Sequence, residues 1–219
     1  FETSLLYINE MEHLMLLKRS VYYKNFILKK TLVEALNHNY NNQQDKAIEL
    51  VASLIDIKHN DIESLLDLHL SLVMFHFQKE DFLKAKSILS KFYHTDQWYI
   101  EKAGIEWIIK KNLAELLLYI ELKEDDLFYS RLKSFKRRYT KYLKQIGKLR
   151  IITFLSFAEQ YYLNPDSVTT DDFKNKLEIS FEWTTVNEED IFVMSFYAWL
   201  KNKVEKGNLY QTTLKLIKM

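Results

Sequence analysis

Glycine and proline are scarce in this chain, and their scarcity restricts the folds that it can adopt. The 219 residues include three glycines and one proline. Hairpin turns and tight connections between β-strands depend on these two residue types, because glycine adopts positive φ without steric cost and proline presets the turn. Helices instead begin at short polar side chains, and Asn, Asp, Ser and Thr recur along the whole sequence. The sequence therefore predicts an all-α protein.

Polar capping residues divide the chain into predicted helices. A capping side chain accepts a hydrogen bond from one of the first backbone amides, which have no partner inside the helix. Asn60 with Glu63, and Asn112 with Glu115, have the spacing of a capping box. These signals predict helices at 2–19, 21–38, 43–58, 61–78, 81–93, 96–110, 112–123, 126–142, 144–162, 170–181, 188–205 and 208–218.

Two consecutive predicted helices differ in the distribution of their apolar residues. The helix at 61–78 is apolar around most of its circumference, so it must be covered on more than one side. The helix at 81–93 carries a single apolar stripe, formed by Phe82, Leu83, Ala85, Ile88, Leu89 and Phe92. An inner helix followed by an outer helix is the unit of a stacked array of helical hairpins.

Internal similarities indicate that this unit is repeated. Residues 70–81 align with 114–125, and residues 46–54 align with 84–92, at offsets of 44 and 38. Offsets in this range are typical of helical repeats. The residues that carry the repeat pattern are Leu72, Phe82, Ala85 and Leu89, with Ala47 in the position of Ala85 one unit upstream. By these residues, the segment from about 30 to 140 resembles the tetratricopeptide-like (TPR-like) family of helical repeats.

The resemblance implies an α-solenoid of stacked antiparallel helical hairpins that binds a protein or peptide along its concave side. We expect the array to span residues 1–162. The only proline lies in the linker-like segment 163–172, and we expect residues 163–219 to form a helical cap that covers the end of the array. The predicted partner contacts lie on the first helices of the hairpins and are His69, His76, Glu101 and Glu115.

A basic segment near the middle of the chain is the strongest local charge feature. Between residues 127 and 158 there is no aspartate or glutamate. Lys133, Arg137, Lys141, Lys144 and Lys148 fall within an arc of about 80° on a helical wheel, opposite an apolar and aromatic side. Such a face is either a solvated helix surface, which is the commoner case, or a site for a nucleic acid or another anionic partner.

Catalytic and nucleotide-binding motifs do not occur in the sequence. It contains no glycine-rich phosphate loop, no nucleophile elbow and no H-E-x-x-H. His69 and His76 share a helix face, but two imidazoles without a third ligand do not define a metal site. We therefore expect a protein that is not an enzyme and that needs neither a cofactor nor a metal.

Charge and composition restrict the partners. Thirty-one basic and 30 acidic residues give a net charge of +1, which argues against nucleic-acid or membrane binding driven by overall charge. No stretch reaches the roughly 18 apolar residues of a membrane span, and the absence of cysteine fits the reducing cytoplasm. We expect a scaffold or adaptor for a protein or peptide partner, or the sensing region of a larger regulator. Binding of nucleic acid or another anion through residues 133–148 is the alternative.

Overall fold

Every regular element that the structure describes is helical. The computed structural model describes residues 2–17, 22–181 and 191–218. Its α-helices are α1 (Glu2–Leu17), α2 (Tyr22–Tyr40), α3 (Gln44–Ile55), α4 (Ile62–Gln78), α5 (Phe82–Leu89), α6 (Asp96–Ala103), α7 (Ile105–Glu121), α8 (Asp125–Gln145), α9 (Leu149–Leu163), α10 (Asp171–Phe181), α11 (Ile191–Glu205) and α12 (Leu209–Lys218), with a 3₁₀ helix (Pro165–Thr169) before α10. The all-α prediction is confirmed for these ranges.

Both predicted capping boxes are misplaced. The break predicted at Asn112 lies at Gly104, whose φ of +88° is a conformation that glycine adopts without strain. Asn112 lies inside α7, where its Oδ1 accepts a hydrogen bond from Arg131 Nη1 at 3.0 Å, so the predicted capping box is wrong. At α4 the capping side chain is Asp61, one residue later than predicted, because its Oδ1 accepts from the Ser64 N–H at 3.1 Å.

Three-residue connections with similar backbone geometry join several consecutive helices in the described ranges. They lie at 41–43, 79–81, 122–124, 146–148 and 206–208. Each contains a residue in the left-handed region, and these residues are Asn42, Glu80, Lys123, Gly147 and Lys206. After α2, α7 and α8, the N–H of the third connecting residue donates to a carbonyl five residues earlier, at 2.9 Å in each case. This bond is typical of the Schellman motif, which satisfies carbonyl groups at the end of a helix.

The first of two compact units comprises residues 1–77 and 83–108. Here α1 packs on α2, and α2 packs on α3. Gln44 Nε2 at the start of α3 donates to the Phe75 carbonyl of α4 at 3.1 Å. Past α5, the rings of Phe92 and Trp107 meet edge to face at 5.4 Å, and those of Tyr99 and Trp107 stack at 5.2 Å. The unit is thus held by packing between consecutive helices and by an aromatic cluster.

The second unit comprises residues 78–82 and 109–219. Within it, α9 packs against α8, the 3₁₀ helix, α10 and α11, and α11 packs against α12. The domain boundary predicted after residue 162 therefore lies inside this unit. Gln78 Nε2 donates to Ser195 Oγ at 2.8 Å, and Trp199 Nε1 donates to Glu121 Oε1 at 2.6 Å, across 117 and 78 positions of sequence. In a solenoid each repeat contacts only its neighbours, whereas here α11 contacts residues far earlier in the chain.

The left-handed residue Lys206 provides a test of the connections. Its side chain is exposed and forms no hydrogen bond or ion pair in the described part of the chain, and its φ is +55°. We expect Lys206→Gly to raise the free energy of unfolding by about 0.5–1 kcal/mol, because relief of left-handed strain outweighs the greater freedom of the unfolded chain. Urea denaturation measures the change.

Lys215→Gly is the matched control, since Lys215 is also exposed but lies inside α12. We expect this substitution to lower the free energy of unfolding by about 1 kcal/mol. Equal destabilisation by both substitutions would contradict the strain argument.

Candidate binding surfaces

A groove of about 830 Å³ lies on the first unit. It is formed by the start of α2, the end of α3 and the loop that leads to α4. The lining residues are Tyr23, Lys24, Ile27, Leu54, Ile57, Lys58, His59, Asn60 and Asp61. Its volume is within the range of ligand-binding clefts in proteins, about 300–1,000 Å³.

Local hydrogen bonds fix the loop side of this groove. His59 Nε2 donates to the Leu54 carbonyl at 3.1 Å, which ties the loop to the last turn of α3. Asp61 caps α4 through the Ser64 amide and also accepts from Ser64 Oγ at 2.7 Å. The groove is therefore bounded by ordered backbone on its loop side as well as by the helices.

The groove combines exposed apolar side chains with cations that have no partner. Tyr23 is 46% exposed and Ile57 is 53% exposed, so both present apolar surface to solvent. Lys24 and Lys58 are exposed and form no hydrogen bond or ion pair with any described residue. The Asp61 carboxylate is occupied by the cap of α4. Two lysines against this one carboxylate leave the lining with a net positive charge.

The basic segment forms one exposed face of α8. The opposite face is buried through Phe128, Leu132, Phe135, Tyr139 and Leu143. The exposed cations of the predicted stripe on the helix are Lys133, Arg137, Lys141 and Lys144, and Lys136 and Arg138 are exposed on α8 as well. This division confirms that the segment packs by its aromatic side and directs its cations outward. Lys148 is also exposed but lies in the connection before α9, so the helical face ends at Lys144.

Carboxylates neutralise only part of this surface. Lys136 Nζ pairs with Glu159 Oε2 at 2.6 Å, and Arg131 Nε pairs with Glu115 Oε2 at 2.9 Å. In contrast, the four cations of the face, Lys133, Arg137, Lys141 and Lys144, form no hydrogen bond or ion pair within residues 2–17, 22–181 and 191–218. Three of them follow each other at intervals of about 6 Å along the helix axis. The face is thus a row of free, regularly spaced positive charges.

Three of the predicted partner contacts belong to the first unit. His69 is half-buried, donates through Nδ1 to the Leu65 carbonyl at 2.9 Å and packs edge to face on Phe92. Burial lowers the pKa of His69, which favours the neutral ring. His76 is buried in α4, whereas Glu101 is exposed on α6 and accepts from Gln97 Nε2 at 3.0 Å. None of the three lines the groove.

The fourth predicted contact, Glu115, is the centre of a buried ionic cluster in the second unit. Glu115 is 7% exposed, and Lys111, one turn earlier on α7, is 4% exposed. Lys111 Nζ lies 2.7 Å from Glu115 Oε1, and Arg131 of α8 approaches the other carboxylate oxygen. Arg131 also bonds Asn112. The carboxylate therefore joins α7 to α8 from the interior.

Substitution of Glu115 tests this structural role. Glu115→Gln leaves the Lys111 ammonium buried without a counter-charge, so we expect the free energy of unfolding to fall by about 3–5 kcal/mol in urea denaturation. The exposed Glu101→Gln serves as the control, with an expected change within about 0.5 kcal/mol. A similar small effect at both positions would contradict the ionic cluster.

The groove residues were not predicted as a site, because they are spread over two segments that meet only after α2 and α3 pack together.

In the described ranges, no group of three or more His, Asp or Glu side chains is placed to hold a metal ion. No helix in those ranges has the length and apolar character needed to cross a membrane. Comparison with protein-family models, with curated proteins and with solved structures finds no match to this chain.

Proposed function

We propose that this protein is a non-enzymatic helical scaffold whose first unit is a tetratricopeptide-like array and binds a protein or peptide partner in its groove. The observation that carries the proposal is the presence, in one groove of about 830 Å³, of exposed apolar side chains beside two lysines without partners. Protein interfaces combine an apolar and aromatic centre with a polar rim in this way. The scaffold acts as an adaptor or as the sensing region of a larger regulator.

The helical repeat character is supported by the burial of the small residues that carry the resemblance. Ala47 in α3 and Ala85 in α5 are both 0% exposed, as the close approach of stacked hairpins requires. Helices α2 and α3 contact each other across a three-residue connection, which is the form of a helical hairpin.

The groove favours a partner segment with apolar and acidic side chains. Tyr23 and Ile27 are one turn apart on α2 and line the groove together with Ile57, so an apolar anchor finds a matching surface. Lys24 and Lys58 then face the flanking residues of the partner. A carboxylate at either position forms an ion pair without first breaking an existing one.

Selection from a phage-displayed library of random dodecapeptides tests the groove. We expect enriched peptides to carry an aromatic or branched apolar residue next to Asp or Glu. The double substitution Lys24→Glu and Lys58→Glu should lower the affinity for the selected peptides by about 10-fold or more, since attraction becomes repulsion. Fluorescence anisotropy measures this affinity. Ile57→Asp should abolish binding.

Lys29→Glu with Lys102→Glu is the matched control, because both lysines are exposed, lack partners among the described residues and lie outside the groove. Peptide binding should persist in this variant. No enrichment, enrichment of peptides without acidic residues, or an equal loss in the control would each refute the proposal.

Binding of a nucleic acid or another polyanion through α8 is a second candidate function. The row of free cations on α8 favours it, because each cation can neutralise one phosphate or carboxylate without loss of an internal ion pair. Tyr139 is buried and Tyr142 is half-buried, so stacking on unpaired bases contributes little and the contact is mainly electrostatic. A solvated face is the competing interpretation, since like-charge neighbours cost only about 0.2–0.5 kcal/mol per pair.

Salt-dependent binding distinguishes these interpretations. If the four cations neutralise phosphates of a duplex DNA oligonucleotide, log K should fall with log salt concentration at a slope of about −3 to −4. Combined reversal at Arg137, Lys141 and Lys144 to Glu should remove this binding and leave selection in the groove unchanged. Lys29, Lys102 and Lys215, each changed to Glu, form a control of equal net charge. A flat salt dependence, or equal loss in the control, would support the solvated face.

A further inference from the structure

A separate cavity of about 470 Å³ lies in the second unit. It is bounded by the end of α7, the connection to α8, the first turns of α8 and the end of α9. The lining residues are Ile120, Glu121, Lys123, Asp125, Tyr129, Tyr161, Tyr162, Leu163 and Pro165. Aromatic and apolar walls with a few charged groups are typical of small-molecule sites of this size.

Two tyrosines and one carboxylate form a connected wall of the cavity. Asp125 begins α8, and Tyr129 lies one turn later on the same face. The rings of Tyr129 and Tyr162 meet edge to face at 5.5 Å, and the Tyr162 hydroxyl donates to Asp125 Oδ1. Partial burial and this hydrogen bond raise the pKa of Tyr162.

The two carboxylates of the lining differ in their charge balance. Glu121 Oε1 accepts from Trp199 Nε1 and from Lys203 Nζ, at 2.6 Å each, so its charge is neutralised. Asp125 receives a hydrogen bond from the neutral Tyr162 hydroxyl and has no ion pair with a described residue. Lys123 is exposed in the connection and likewise has no ion pair within the described part. The cavity thus retains one uncompensated carboxylate and one uncompensated ammonium.

The Lys203 side chain shows how this part of the protein holds an ammonium. Lys203 Nζ lies 5.6 Å from the ring centres of both Tyr161 and Trp199 while it pairs with Glu121. A carboxylate combined with aromatic faces stabilises a cation through both ion pairing and the ring quadrupoles. Asp125 with Tyr129 and Tyr162 offers the same chemical combination on the cavity wall.

We propose that this cavity binds a small zwitterion of the α-amino acid class. The ligand ammonium pairs with Asp125 against the rings of Tyr129 and Tyr162, and the ligand carboxylate pairs with Lys123. The ligand side chain contacts the apolar part of the lining, formed by Ile120, Leu163 and Pro165. The site is distinct from the groove of the first unit and from the basic face of α8, so it adds small-molecule binding to the proposed scaffold function.

Thermal unfolding with the free proteinogenic amino acids at millimolar concentration tests this site. We expect at least one of them to raise the Tm in a concentration-dependent way, because a ligand that binds only the folded state stabilises it. Isothermal titration calorimetry then gives the Kd of that amino acid. Its N-acetyl derivative and its amide should each bind about 10-fold more weakly or worse, because each lacks one of the two charges.

Variants of the lining locate the binding. Lys123→Glu and Asp125→Asn should each lower the affinity for the amino acid by about 10-fold or more. Asp126→Asn and Lys215→Glu are the matched controls, since both residues are exposed and lie outside the cavity. Circular dichroism verifies that Asp125→Asn folds, and Lys123→Glu changes an exposed side chain without removing a hydrogen bond in the described part.

Three results would overturn the inference. The first is the absence of any Tm change with the free amino acids. The second is equal affinity for the free amino acid and both blocked derivatives. The third is a loss of affinity that is as large in the controls as in Lys123→Glu and Asp125→Asn. None of these results depends on peptide selection by the groove, so either proposal can fail alone.

Discussion

Packing of each short helix against other helices is the interaction on which this structure depends. The described α-helices range from the 8 residues of α5 to the 21 of α8. Isolated helices shorter than about 12–15 residues are marginal in water, and most helical stability in proteins comes from tertiary packing. Helix α8 shows the principle most clearly, because its aromatic side is buried while its charged side faces solvent. Burial of one side fixes the helix and leaves the other side available for binding. The candidate surfaces therefore lie where no other helix covers a helix end or a charged helix face.

The sequence predicts those features that depend on local spacing. The helical class follows from the scarcity of turn residues, and the two sides of α8 follow from a repeat of three and four residues. Features decided by distant residues are missed. Asn112 has the local spacing of a cap, but Arg131, 19 positions later, makes it an interior acceptor instead. Glu115 has the polarity of a surface contact, but Lys111 and Arg131 hold it inside. The groove was missed because its two halves are adjacent only after α2 packs on α3.

The net charge of the chain is nearly balanced, but acidic and basic residues are distributed unevenly between the interior and the surface. Glu115 and Glu121 neutralise cations inside or near the core of the second unit, so these acidic groups are withdrawn from the surface. Lys133, Arg137, Lys141 and Lys144 of α8 remain outside without such partners among the described residues. A chain with a formal charge of +1 can therefore display a strongly positive face. Lys24, Lys58 and Lys123 likewise form no ion pair with a described residue, and each of them lines a groove or cavity.

The hydrogen bonds that close the second unit also order its assembly during synthesis. Gln78 and Glu80 leave the ribosome long before Ser195 and Leu209, their partners across 117 and 129 positions. The contacts of α1, α2 and α3 join segments that emerge one after another, so they form while translation continues. The segment 78–82, in contrast, can form its contacts with α11 and α12 only after those helices have been synthesised. A nascent chain that stalls before α11 therefore has the contacts of α1, α2 and α3 in place, whereas its second unit is incomplete and exposes apolar surface.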